Sequence, residues 1–221
     1  MKVIFKIPSF KDFGGPEVKV NSEELWRSTL HDFNNLLAGL QGVLDLSDPR
    51  APLEPRNRIR LEASIEDGKT LIAMARALAL GRWPDLASVP WEEWRWGLEE
   101  RLKPLSQLFR CPIEVVGDSS CEGERWPAPG LQDWIAAFTR QILPWVAPEP
   151  LRIEIRAAAD RWVITWPGEA PMPAAFRPHP PADAPSTLPS YWLKGAADRL
   201  QVIVEETPQG LVAWVPRPCG C

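Results

Sequence analysis

The chain has 221 residues, with 25 Lys and Arg against 29 Asp and Glu, for a net charge of −4. That balance supplies no basic surface for tracking phosphates, so no nucleic acid is expected as a partner. No apolar run approaches the roughly 18 residues that a membrane span requires, so no membrane partner is expected either.

A folded unit of this length buries roughly 70% of its unfolded surface and needs no covalent staples. The composition is unusual in its 12 Trp and 25 Pro beside a single Tyr. The indoles are expected to fill cores, and the prolines to break the chain into short elements and loops. Four cysteines occur, at Cys111, Cys121, Cys219 and Cys221. No His cluster or second close Cys pair joins Cys219-Gly220-Cys221, so no metal site is expected. The start, Met1-Lys2-Val3-Ile4-Phe5-Lys6-Ile7-Pro8, is too short and too charged for a secretory signal, which points to the cytoplasm.

In chain order, residues 1–20 read as an arm or short strand, broken by Gly14-Gly15-Pro16. Asn21 with Glu24 three residues on forms a helix start, and a helix is expected over 22–46. Ser47-Asp48-Pro49, Pro52 and Pro55 hold the connection open. A second helix is expected over 56–80, closed by Gly81 and Pro84. Trp26, Leu30, Phe33, Leu37, Leu40 and Leu44 recur at alternating four- and three-residue steps, as do Leu61, Ile65, Gly68, Ile72, Ala75 and Ala79. The result is a helical hairpin over 21–84, whose core is too small to stand alone. Two copies forming a four-helix bundle would complete it.

At about 100° per residue, His31 lies roughly 140° from the middle of the first stripe and Asn35 roughly 180° from it. Ala38 and Gly42 continue that outer face, where small side chains leave room for a partner protein.

From Val89 the pattern changes. Helices are expected over 91–109 and 131–145 and near 191–199. Strands are expected over 113–116, 152–155, 161–166, 200–205 and 211–215, with a proline-rich loop over 167–189. This order describes an open sheet covered on one face by helices, over 85–221. The whole is an α+β chain, a helical hairpin followed by a small open α/β sandwich.

The words Leu30-His31-Asp32-Phe33-Asn34-Asn35-Leu36-Leu37 resemble the phosphoacceptor motif of sensor histidine kinases. The order of elements after it is similar to the ATP-binding domain of that family, so the resemblance runs from about Asn21 to the C-terminus. It implies that His31 takes a phosphoryl group, that Asp32 assists as a base, and that Asn35 helps dephosphorylate the partner. Adjacent helix residues do not face one another, which leaves the role of Asp32 the least secure.

The resemblance fails where nucleotide would be held. Ala137 and Gln141 stand where active kinases carry Asn-x-x-x-Asn. Trp166-Pro167-Gly168-Glu169-Ala170 replaces Asp-x-Gly-x-Gly, and Ser186-Thr187-Leu188-Pro189-Ser190 replaces the glycine-rich lid. The domain therefore reads as a degenerate ATPase that binds no ATP, with Mg²⁺ brought by a receiver-domain partner rather than by this chain.

Three functions fit: a homodimeric histidine phosphotransferase relaying phosphate between receivers, a pseudokinase-type regulator that only docks a receiver or kinase, and a receiver phosphatase in which Asn35 positions water. The other histidine, His179, lies in Pro178-His179-Pro180-Pro181 and is expected in a loop.

Overall fold

The computed structural model describes residues 22–47, 52–80, 83, 86–147, 149–177 and 187–217. The expected N-terminal arm, His179 and Cys219-Gly220-Cys221 lie outside the described residues. Two compact units are present, one taking Met1–Arg82 and Asp183–Trp192, the other Trp83–Ala182 and Leu193–Cys221.

The first unit holds the hairpin, α1 (Ser22–Asp45) and α2 (Pro55–Leu80). Pro55 opens α2 because a first-turn residue needs no intrahelical N–H partner. Facing inward are Thr29 and Val43 of α1 and Met74, Ala77 and Leu78 of α2. The Thr29 hydroxyl is satisfied by donating to the Leu25 carbonyl at 2.8 Å. Leu36 lies against Gly68, where an added Cβ would come within 3.7 Å of its methyl groups.

The apolar stripe read from the sequence is therefore not the surface that joins α1 to α2. Trp26, Leu30, Leu37 and Leu44 are 55–61% exposed, and Ile65 and Ile72 on α2 are exposed as well. α1 carries two apolar faces; α2 covers the one running through Thr29, Leu36 and Val43. Four of the six residues of the periodic stripe are left open within a single chain, and Phe33 and Leu40 are half-buried.

The second unit is a helix-covered sheet. Its helices are α3 (Trp91–Phe109), α4 (Gly130–Val146) and the later part of α5 (Leu188–Leu200). Numbering the strands in chain order, β2 (Ile113–Gly117), β4 (Leu151–Ala157), β5 (Arg161–Pro167), β6 (Ile203–Thr207) and β7 (Gly210–Pro216) form one sheet in the order β2-β4-β5-β7-β6. β2 pairs parallel with β4 and the remaining pairs are antiparallel. Strict alternation on β4 buries Leu151, Ile153 and Ile155 and exposes Arg152, Glu154 and Arg156, as expected of a sheet with one face packed and one wet. Gly210 enters β7 at φ 130°, where a side chain would also strike the Trp166 carbonyl.

Sequence reading missed β1 (Leu86–Pro90) and β3 (Arg125–Pro129), which pair with each other as a separate two-stranded sheet. Pro90, Pro127 and Pro129 disguise them, since proline argues against a strand everywhere except at such edges. The expected strand over 200–205 begins later, at Ile203, because α5 runs to Leu200 and leaves through Gln201 at φ 54°. The expected loop over 167–189 contains a short 3-10 turn at Ala174–Phe176 and ends where α5 starts at Leu188.

Most of the indoles are core, as the composition implies. Trp94, Trp126, Trp134 and Trp166 are fully buried, each removing area worth a gross ~4–6 kcal/mol of transfer free energy. Trp91, Trp94, Trp126 and Trp162 form a continuous stack with neighbouring centroids 5.0–5.5 Å apart, bringing α3, β3 and β5 together.

Candidate functional site

His31 sits in the middle of α1, where Ser22–Asp45 is helical throughout, so its backbone is fixed and only its ring is free. The side chain is 63% exposed, whereas that of its neighbour Asp32 is only 13% exposed. One ring nitrogen, Nδ1, lies 3.3 Å from Asp32 Oδ1 and 3.2 Å from Asn35 Nδ2. The helix places Asn35 one turn beyond His31, so that contact follows from spacing. The approach of Asp32 does not, and it corrects the expectation that adjacent helix residues stay apart. The carboxylate reaches back along the helix surface to the ring.

Nδ1 cannot be a donor to Asp32 and an acceptor from Asn35 at once, so the two neighbours compete over the tautomer. The carboxylate wins. If Nδ1 carried its lone pair, that lone pair would face the Asp32 anion; if it carries the proton, it makes a charge-assisted bond. A half-turn of the Asn35 carboxamide then presents its oxygen to the same proton. With Nδ1 protonated, the lone pair resides on Nε2, for which the described residues provide no hydrogen-bond partner. The ring is thus exposed, with Nδ1 held from behind by Asp32 and Asn35 and Nε2 left open.

Asp32 has a second bond. Its Oδ2 accepts the backbone N–H of Leu188 at 2.9 Å, and Leu188 belongs to the Asp183–Trp192 segment of the same unit. No sequence signal marks this contact, because a backbone donor 156 residues away leaves no trace in residue type.

In the second unit lies Trp166, which the sequence reading sets at the position of the kinase motif's Asp. It is fully buried, its centroid 4.5 Å from that of Phe138 and 6.2 Å from that of Trp134. Its Nε1 donates to the buried Thr139 hydroxyl at 3.0 Å. Phe176 closes the group from the segment after β5, 5.7 Å from Phe138 and 6.1 Å from Trp134. Ala137 and Gln141, set by alignment at the lost carboxamide positions, are half-buried on α4.

Among the described residues no group of three His, Cys, Asp or Glu could hold a metal ion, and no helix is long and apolar enough to cross a membrane. Cys111 and Cys121 are both buried thiols. Burial, joined by the nearby Asp118 charge, pushes the Cys121 thiol up to about 11, and burial raises Cys111 as well. With Cys219 and Cys221 replaced by Ser, the native protein should therefore resist a thiolate-selective disulfide reagent at neutral pH and react only after denaturant is added. Rapid native reaction would show that these thiols open to solvent.

No family model matches the chain, and no curated protein matches its sequence. Solved structures do. The Acinetobacter baumannii histidine kinase AdeS aligns at 12% identity over 86% of this chain and 96% of its own, with a TM-score of 0.53. Full-length ShkA, solved with AMPPNP, aligns at 17% identity over 90% of this chain and 46% of its own, with a TM-score of 0.52. A bacterial phosphotransferase aligns at 16% identity over 87% of this chain and 93% of its own, with a TM-score of 0.47. At these identities the likeness is one of fold. The chain has the architecture of a histidine kinase core, a helical hairpin followed by an α/β sandwich on a mixed five-stranded sheet.

Proposed function

We propose that this chain is a homodimeric histidine phosphotransferase that relays a phosphoryl group between receiver-domain aspartates through His31. The observation that carries the reading is the exposed His31 ring, with Nδ1 held between Asp32 and Asn35 and Nε2 without a hydrogen-bond partner among the described residues. Nε2 attacks the phosphorus of a receiver's aspartyl phosphate; the P–O bond to the carboxylate breaks as the P–N bond forms. The ring proton stays on Nδ1, and Asp32 offsets the positive charge that the phosphorylated imidazole acquires. A second receiver's carboxylate then attacks phosphorus and releases neutral His31. Such transfer requires in-line positioning and charge neutralisation, and the receiver brings the Mg²⁺.

The chain uses no ATP of its own in this reading. The residues at the expected nucleotide position do not fit one: an indole is a donor only, so Trp166 cannot accept from an adenine amino group, and its donor is already spent on Thr139. Phe176 and Trp134 fill the adjoining space. Isothermal titration with Mg-ATP across the physiological millimolar range should therefore give no saturable heat. Saturable binding would return the chain to the kinases.

Dimerisation is supported by the open stripe on α1, since a contiguous exposed apolar face marks an interaction surface. Leu37 is 58% exposed within one chain, so Leu37→Glu costs the isolated hairpin little but sets a charge in the seam between copies. Sedimentation should find wild type as a dimer and the variant dissociated. A wild-type protein that sediments as a folded monomer would refute the four-helix bundle. The relay itself is tested by mixing the protein with phosphorylated receivers and following acid-labile label onto His31. Docking without label would leave a regulator in its place. The reading expects a cytoplasmic protein with receiver domains as partners.

A further inference from the structure

The stretch Ser186-Thr187-Leu188-Pro189-Ser190 stands where the kinase fold would carry its glycine-rich, phosphate-approaching lid motif. Its described residues still present a backbone N–H to an anion, and that anion is the chain's own Asp32. We propose that the first turn of α5 is a positioning element of the phosphoacceptor site, with Thr187 fixing the Leu188 N–H that holds Asp32, and Asp32 in turn holding the His31 ring in one tautomer. The proposal rests on the reading of His31 as the phosphoryl carrier, but its test does not.

The first donors of a helix have no intrahelical partner and must be satisfied from outside. On α5 every one of the first three positions has its account closed. Leu188 N–H goes to Asp32 Oδ2 at 2.9 Å, Pro189 has no N–H, and Ser190 N–H goes to the Thr187 hydroxyl at 3.3 Å. Thr187 Oγ1 also meets Ser190 Oγ at 2.9 Å, and its carbonyl accepts Tyr191 N–H at 3.1 Å. Thr187 is thus the N-cap, and its side chain sets the path of the backbone at Leu188. Leu188 itself is fully buried, which denies its amide any solvent alternative to Asp32.

On the other side, Asp32 divides its oxygens. Oδ2 is taken by Leu188 and Oδ1 is left toward His31 Nδ1. A carboxylate free to rotate would spend part of its time turned to water. One oxygen anchored on a buried backbone donor removes that freedom and accounts for the low exposure of Asp32 beside a well-exposed His31.

The chain has only two histidines, so its ring nitrogens can be followed individually by ¹⁵N correlation spectroscopy, with His179→Ala assigning the pair. In wild type the His31 pattern should be that of the Nδ1–H tautomer. Asp32→Asn, which keeps an acceptor but removes the charge, should shift it toward the Nε2–H form. Thr187→Ala should shift it the same way, and Thr187→Ser, which restores the hydroxyl, should return it. A Leu188 amide proton displaced downfield in wild type and relaxed in Asp32→Ala gives the same information without touching the cap. Uptake of label from phosphoramidate, a small donor needing no receiver, should fall in parallel with the Nδ1–H population.

Should Asp32→Asn alter the ring signals while Thr187→Ala leaves both them and the Leu188 amide at their wild-type positions, the cap does not reach the histidine and the proposal is wrong. Should the signals move as expected in a protein that never takes label, the positioning stands and the phosphotransferase reading falls.

Discussion

His31→Ala is expected to abolish transfer of label from a phosphorylated receiver while leaving the protein folded. The side chain is 63% exposed and its polar contacts among the described residues are both with neighbours on the same helix. Truncating a side chain of that kind moves stability by no more than about 0.5 kcal/mol. Loss of function without loss of structure is therefore the signature to look for, with circular dichroism run beside the transfer assay. Asn35→Ala should behave differently. It leaves Nε2 and the Asp32 bond in place, so His31 still accepts phosphate, while any hydrolysis of the phosphorylated receiver slows. If both activities drop together, Asn35 serves docking alone. Label reaching the His31→Ala protein would end the phosphotransferase reading.

Trp166→Ala should destabilise the second unit strongly, by roughly 3–5 kcal/mol. The indole has no exposed surface, touches Phe138 and Trp134, and satisfies the buried Thr139 hydroxyl. Its removal opens a cavity and also strands a polar group, which adds about 1–3 kcal/mol where no water can enter. The urea midpoint followed by near-ultraviolet circular dichroism measures it. A shift worth less than about 1 kcal/mol would mean that the aromatic group does not serve as core, since even modest core truncations exceed that. Removing the same ring should leave label uptake by His31 intact in whatever fraction remains folded.

The relation of His31 to Asn35 was legible in the sequence because helix geometry makes it so. Four residues is one turn, and the structure brings the two side chains to 3.2 Å. The start of α2 was legible to within one residue for a similar reason, since prolines act locally on the backbone, although Pro55, expected in the connection, is the first residue of the helix. The inward face of the hairpin was not. α1 presents two stripes, and periodicity ranks the more apolar one, with Trp26 and Leu37, above the one with Thr29 and Val43, although the latter is the buried one. Nor was the Asp32–Leu188 bond legible, because its donor is backbone and every non-proline residue has one. The strands β1 and β3 were hidden by the residues that make them edges: prolines that cannot donate to a further neighbour. What the sequence carries well is local periodicity and motif; what it carries poorly is which of two faces, and which backbone group, a distant segment will choose.

The stack of Trp91, Trp94, Trp126 and Trp162 has an optical consequence. Indoles spaced 5.0–5.5 Å apart absorb as a coupled set, so excitation of one is shared among its neighbours before any is emitted. All four belong to the second unit. The exposed Trp26 on α1 lies in the first, on the stripe left open within one chain. The stack is a coupled chromophore whose ellipticity reports the integrity of the sheet domain, and once the exposed Trp96 and Trp145 are replaced by Phe, Trp26 is a water-exposed emitter on the stripe proposed as the dimer seam. A blue shift from Trp26 on raising the protein concentration, with the coupled band unchanged, would let assembly be watched in unlabelled protein.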